Sequence, residues 1–132
     1  IGLLATIAIP AFKRVQIRSQ NSRLANDLRM YGGMVETYTM ENGDYPENSG
    51  AGAIPTGFGA YIKSVLWVQG PSIGGLWDVE KDSSGVTSAI GVNGYTVSEE
   101  QLAEFDKDYD NGDLSSGTYR KLVNGYYYVV AE

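Results

Sequence analysis

Asp106, Asp108, Asp110, Asn111 and Asp113 are the densest set of oxygen ligands in the chain. Asp106-x-Asp108-x-Asp110 matches the opening of an EF-hand loop, but the sixth position is Asn111 rather than Gly and the twelfth is Gly117 rather than Glu, so the loop is not an EF-hand. Two readings remain. A cation such as calcium would relieve acidic groups that oppose the dipole at a helix C-terminus, or the stretch is simply a helix end running into a polar turn. The chain has no His and no Cys, so the usual general base at neutral pH and the commonest metal ligand are both missing. Haem attachment through Cys is excluded as well. Carboxylate catalysis by Asp106 to Asp113 would need a second partner, and the sequence offers none. Gly70 to Gly75 lacks the Lys and the spacing of a phosphate loop. Ten Tyr and two Trp are many for 132 residues, and they read as core and interface anchors with wet hydroxyl ends rather than as an electron path.

Charge is divided along the chain. The net charge is −6, yet residues 1–30 carry Lys13, Arg14, Arg18, Arg23 and Arg29 against Asp27 alone, a balance of +4, and the remainder carries −10. An acidic remainder argues against nucleic-acid binding. The basic segment is either a solvated helix face or a surface complementary to acidic groups of another subunit.

The elements that would position these groups start with one long helix. From Ala11 to Asn42 there is no Pro, and Leu24, Leu28, Tyr31, Val35 and Tyr38 alternate by four and three, which places them on one helical face widened by Ala25 and Met34. Asn42-Gly43 is a stop signal. Gly32-Gly33 marks a kink or a close backbone approach, at a cost of about 1 kcal/mol per Gly. Ahead of the helix, Ile1 to Phe12 holds no charge and ends at Lys13-Arg14. Twelve residues are fewer than the ~20 of a membrane span, and the run looks like the second half of a longer apolar helix. Beyond the helix, residues 43–59 form a loop, and 60–68 reads as a short helix or a buried strand. Leu76 to Glu80 alternates, with Trp77 and Val79 on one face and Asp78 and Glu80 on the other. Asp82 to Gly85 closes a hairpin, and residues 86–92 return. Ser98-x-x-Gln101 opens a helix that runs to about Tyr109, and residues 126–131 form a last strand. The expected fold is α+β: a long N-terminal helix, residues 1–42, against a head, residues 43–132, with a three-stranded antiparallel sheet.

Ile1-Gly2-Leu3-Leu4-Ala5-Thr6-Ile7-Ala8-Ile9-Pro10-Ala11-Phe12 resembles the N-terminal segment of type IV pilins and type II secretion pseudopilins, and residues 26–46 resemble the end of their stem helix. The resemblance implies a pilin-like subunit that polymerises into a helical filament, extracellular or in the cell envelope, and that is anchored in the inner membrane before assembly. It implies a prepilin peptidase and an assembly ATPase as partners. It places the assembly interface on Ile1, Leu3, Leu4, Ile7, Ile9, Pro10, Phe12, Arg14, Arg18 and Arg23, and it favours a short helix near residues 58–64. Because major pseudopilins hold calcium in a late acidic loop, it points to Asp106, Asp108, Asp110 and Asp113 as metal ligands. It also implies that residues 2–10 become extended within a filament. The alternatives are a type II secretion pseudopilin and a membrane-anchored binding module that never polymerises.

Overall fold

In a computed structural model, which describes the backbone of residues 2–122 and 124–132 and the side chains of 10–122 and 124–132, the expected long helix is the spine. Helix α1 (Gly2–Asn42) runs for 41 residues and passes through Pro10 without a break. Leu24, Ala25, Leu28, Tyr31 and Val35 are buried, as the stripe requires, and Met34 and Tyr38 are half-buried at its edge. The helix stops where expected: Gly43 takes φ 79° and its N–H donates to the Thr39 carbonyl at 2.9 Å.

Against this stripe lies one antiparallel sheet in the order β1-β2-β4-β3, built from β1 (Leu76–Ser83), β2 (Val86–Asn93), β3 (Tyr119–Leu122) and β4 (Gly125–Ala131). The β1–β2 hairpin closes on Ser84-Gly85, both at positive φ, between the paired Ser83 and Val86. Positive φ at both central residues is the type I′ geometry whose twist suits a two-residue hairpin. The sheet has four strands, not the expected three. The additional β3 is four residues long and contains Arg120 and Lys121, so neither its length nor its composition announces a strand.

The ambiguous segment at 60–68 is helical, but α2 spans Ser64–Gln69, and residues 58–60 make only a single 3-10 turn. The expected helix near 58–64 therefore sits further along the chain. Its position is set by Trp67, which is buried and donates its indole N–H to the Gly52 carbonyl at 3.2 Å. Trp67 packs with Tyr31, Phe58 and Trp77, and Tyr38 and Tyr61 extend the same aromatic cluster. Helix α3 (Glu99–Tyr109) begins at the predicted cap, where the Gln101 N–H donates to Ser98 Oγ at 3.2 Å. The Gln101 side chain does not close the box. It donates to Gln20 Oε1 at 2.9 Å and to Asn21 Oδ1 at 3.2 Å, which ties α3 to α1.

The outer face of the sheet departs from the simple alternation. Asp78 is buried like its neighbours Trp77 and Val79. The register sets Asp78, Gly91 and Tyr127 in one row across β1, β2 and β4. The Tyr127 ring lies over Gly91, where a Cβ would approach its Cδ2 to 2.7 Å, and its hydroxyl donates to Asp78 Oδ2 at 2.8 Å. Burial, and then the neighbouring Glu80 carboxylate, push the Asp78 carboxyl up to about 6. Among the described residues, Asp78 Oδ1 has no hydrogen-bond partner.

Two predictions follow from packing and burial. An Asp raised in the folded state makes stability fall as pH rises from about 4 to about 6 and then level off. The Asp78→Asn variant, which keeps an acceptor for Tyr127, is expected to be more stable at pH 7 by about 2 kcal/mol, and to lose that pH dependence in urea titrations. The paired glycines divide by their surroundings: a Cβ on Gly32 would meet the Tyr128 ring at 2.7 Å, and one on Gly33 meets nothing within 4 Å. Gly33→Ala should stabilise the head by up to about 1 kcal/mol through helix propensity, and Gly32→Ala should destabilise it by about 1 kcal/mol or more. Thermal melts of the two single variants distinguish these outcomes.

Candidate functional site

The site is the stem where it leaves the head. Among the described side chains, the first that is buried on α1 is Asn21, and none from Pro10 to Gln20 is buried. Phe12 and Val15 are each 65% exposed. Two apolar side chains standing in water on a charge-flanked helix are an unfilled contact. Of the residues expected at an assembly interface, Pro10, Phe12, Arg14, Arg18 and Arg23 are exposed on this helix. Ile1, Leu3, Leu4, Ile7 and Ile9 lie outside the residues whose side chains are described. Among the described residues, no helix is long and apolar enough to cross a membrane.

Arg14 and Arg18 line a cleft of about 640 Å³ between the stem and α3, across from Ala103, Glu104, Lys107 and Asp108. The basic stem therefore faces acidic groups of its own head as well as solvent. The described ion pairs lie elsewhere: Lys81 with Asp44 and Glu47, Arg120 with Glu132, and Lys121 with Glu99. Arg23 lies instead beside Asp27, Met30 and Leu66, where α1 meets α2. Burial raises the Asp27 carboxyl, and Arg23 partly offsets it.

A second surface escaped the reading of the sequence. Helix α2 buries Trp67 but leaves Val65 at 70% and Val68 at 75% exposure. Its signal was an apolar run at 65–68 longer than one buried face of so short a helix can use.

The acidic cluster is not gathered around one point. Asp106 is fully buried and accepts from the Tyr126 hydroxyl at 2.7 Å and from the Gly112 N–H at 2.8 Å. Asp110 accepts from the Tyr119 N–H at 2.9 Å, and Asp113 accepts from the N–H and hydroxyl of Ser115. Asp108 is exposed and lines the stem cleft. The Ser115 contacts hold the Asp113 carboxyl below its ordinary value. Burial, and then Asp106, raise the Tyr126 phenol well above its own. Among the described residues, no group of three or more carboxylates could hold a metal ion. The physical reason is that three of the four Asp are committed to protein donors that end α3 and hold β3.

A helix that outruns its head, with a four-stranded sheet laid on its distal half, defines an α+β subunit of pilin-like architecture. The chain is similar to the fimbrial protein EcpC of Eikenella corrodens, with 37% identity over 98 residues, 74% of this chain and 62% of that protein. It thus spans less than two thirds of that relative's length. No protein-family model and no solved structure matches the chain.

Calcium gives the check on the acidic loop. With its carboxylates committed as they are, millimolar calcium or chelator is expected to leave the melting temperature unchanged, because a ligand stabilises only through a site in the folded state. Asp106→Ala should destabilise by about 3 kcal/mol, since it strips acceptors from a buried hydroxyl and a helix-terminal N–H.

Proposed function

We propose that the chain is a structural subunit of a pilin-like helical filament, assembled through its N-terminal helix, and that it acts by polymerising rather than by catalysis. The observation that carries this is the unburied stem from Pro10 to Gln20, with Phe12 and Val15 in water. The similarity to a protein named as fimbrial supports it. Burying Phe12 and Val15 between stems would contribute roughly 1.5–3 kcal/mol each, and the apolar residues 1–9 would add to the same bundle. Before assembly, the uncharged segment serves as the anchor in the inner membrane. The type IV pilus is the polymer preferred here, with a prepilin peptidase and an assembly ATPase as its machinery.

Electron microscopy of surface-sheared material tests the reading. Fibres containing this chain are expected, and Phe12→Asp with Val15→Asp should abolish them. The head's melting temperature should change little, because exposed substitutions away from special features stay within about 0.5 kcal/mol. A membrane-anchored module that never polymerises would yield no fibres at all. Short periplasmic filaments seen only inside the envelope would favour the pseudopilin instead.

A further inference from the structure

The exposed side of α1, whose edges at Arg18, Arg23 and Glu41 adjoin the head, carries a repeated pattern. Residues 18–23 read Arg-Ser-Gln-Asn-Ser-Arg, and residues 36–41 read Glu-Thr-Tyr-Thr-Met-Glu. In both hexads the first, second, fifth and sixth residues are exposed, and the two between them turn toward the head. This is the disposition of g, a, d and e positions at a coiled-coil seam, with a and d uncharged and g and e charged. The first hexad is flanked by Arg18 and Arg23 and the second by Glu36 and Glu41, so the two carry opposite charge. Glu36 follows Arg18, and Glu41 follows Arg23, by 18 residues each. Eighteen residues are five whole turns at 3.6 residues per turn, so both hexads lie on one face. None of the four charged side chains makes an ion pair with a described residue, although the Glu41 carboxylate accepts from the Tyr61 hydroxyl. An exposed helix face on a small head is ordinarily strewn with charge; within each hexad it is kept to the flanks, and Arg29 stands exposed on the face between them.

We infer that this face is the docking surface for a second copy of the chain, parallel and displaced by 18 residues, with hexad 18–23 of one copy seated on hexad 36–41 of the next. The inference rests on the filament reading, which keeps the apolar ends of all copies on one side and so selects the parallel orientation. The displacement is about 27 Å at 1.5 Å per residue. In a parallel seam a g residue meets the e residue five places on in its partner. Arg18 of one copy then meets Glu41 of the other, and Arg23 meets Glu36. At the same level Ser22 lies against Met40, and Val15 lies against Gly33, beside which there is open space. In-register copies would instead set Arg18 against Arg23 and Glu36 against Glu41, a like-charge arrangement on both flanks. Because the paired hexads differ, each contact leaves one of each kind unused, and such heterologous contacts build open chains rather than closed dimers.

The chain contains no Cys, so cross-linking has no background. Filaments co-assembled from Ser22→Cys chains and Met40→Cys chains are expected to yield disulfide-linked dimers on mild oxidation, and neither variant alone should do so. Reversing Arg18 and Arg23 to Glu should reduce the assembled fraction about tenfold at low salt. Adding Glu36→Arg and Glu41→Arg to the same chain should restore it. All these positions are exposed, so an unchanged thermal melt of each variant verifies folding. Fibres that form undiminished from the Arg-reversed chain, without the 22–40 link, would overturn this register and leave the filament reading standing. Dimers formed by Met30→Cys chains alone would overturn it in favour of an antiparallel pair. A wild-type chain that stays monomeric under all conditions would remove both the filament reading and this inference.

Discussion

Everything in the head depends on one face of one helix. Leu24, Leu28, Tyr31 and Val35 form the central wall on the sheet's inner side, continued by Leu102 and Phe105 of α3, and Trp77, Val79, Ile90, Val92 and Tyr126 pack against it from three strands. A head of about 90 residues without Cys cannot form a deep core or be stapled. It depends instead on burying large aromatics against the helix, Trp67 and Trp77 above all. The same dependence sets where the stem becomes free. The last apolar contact of the wall is Leu24, and below it the seam turns polar at Asn21, Gln20 and Gln101. Buried amides that satisfy one another end a hydrophobic seam without demanding further apolar cover, so the helix can continue past them into solvent.

The sheet is protected on both edges by loops rather than by charge alone. Along β1, the Gly52 N–H donates to the Trp77 carbonyl at 2.8 Å, Asn48 donates to Glu80 at 2.7 Å, and Lys81 reaches Asp44 and Glu47. Along β3, the Lys121 N–H donates to the Leu114 carbonyl at 2.7 Å, and Asp110 takes the Tyr119 N–H. Open edges invite sheet-to-sheet pairing. A subunit that associates through its helix would gain specificity from strands whose edges are partly covered. The acidic loop after α3 is best understood in this role, as a clasp on β3.

Periodicity accounts for what was legible in the sequence. The 3.6-residue recurrence from Leu24 to Tyr38, the alternation around Trp77, and the Ser98 cap each express a local rule, and each element formed where its rule placed it. Features that rest on long-range partners were hidden. Strand β3 exists because β4 and the Asp110 loop hold it, since four residues with Arg and Lys at the centre have little strand preference of their own. Asp78 looked like a solvent-facing residue because nothing near it in sequence reveals that Tyr127, 49 positions away, will cross Gly91 to cover it. The partners of the acidic run were hidden in the same way, because composition records which groups are present, not which protein donors each takes.

In the proposed filament the stem would divide two tasks that one contact could not serve together. There, apolar burial between stems would be non-directional, and a smooth apolar helix could slide along its neighbours by a turn at little cost. Exposed ion pairs contribute only about 0.2–1 kcal/mol each, too little for cohesion but enough, when several must match at once, to discriminate between registers. An 18-residue displacement returns the charge pattern to the same face with its sign inverted, and a shift of one turn either way moves every pair out of reach. Cohesion and register would thereby fall to different stretches of the same helix. The uncharged positions between the flanks of each hexad would follow from that division, because a charge there would have to be desolvated at the contact without a partner.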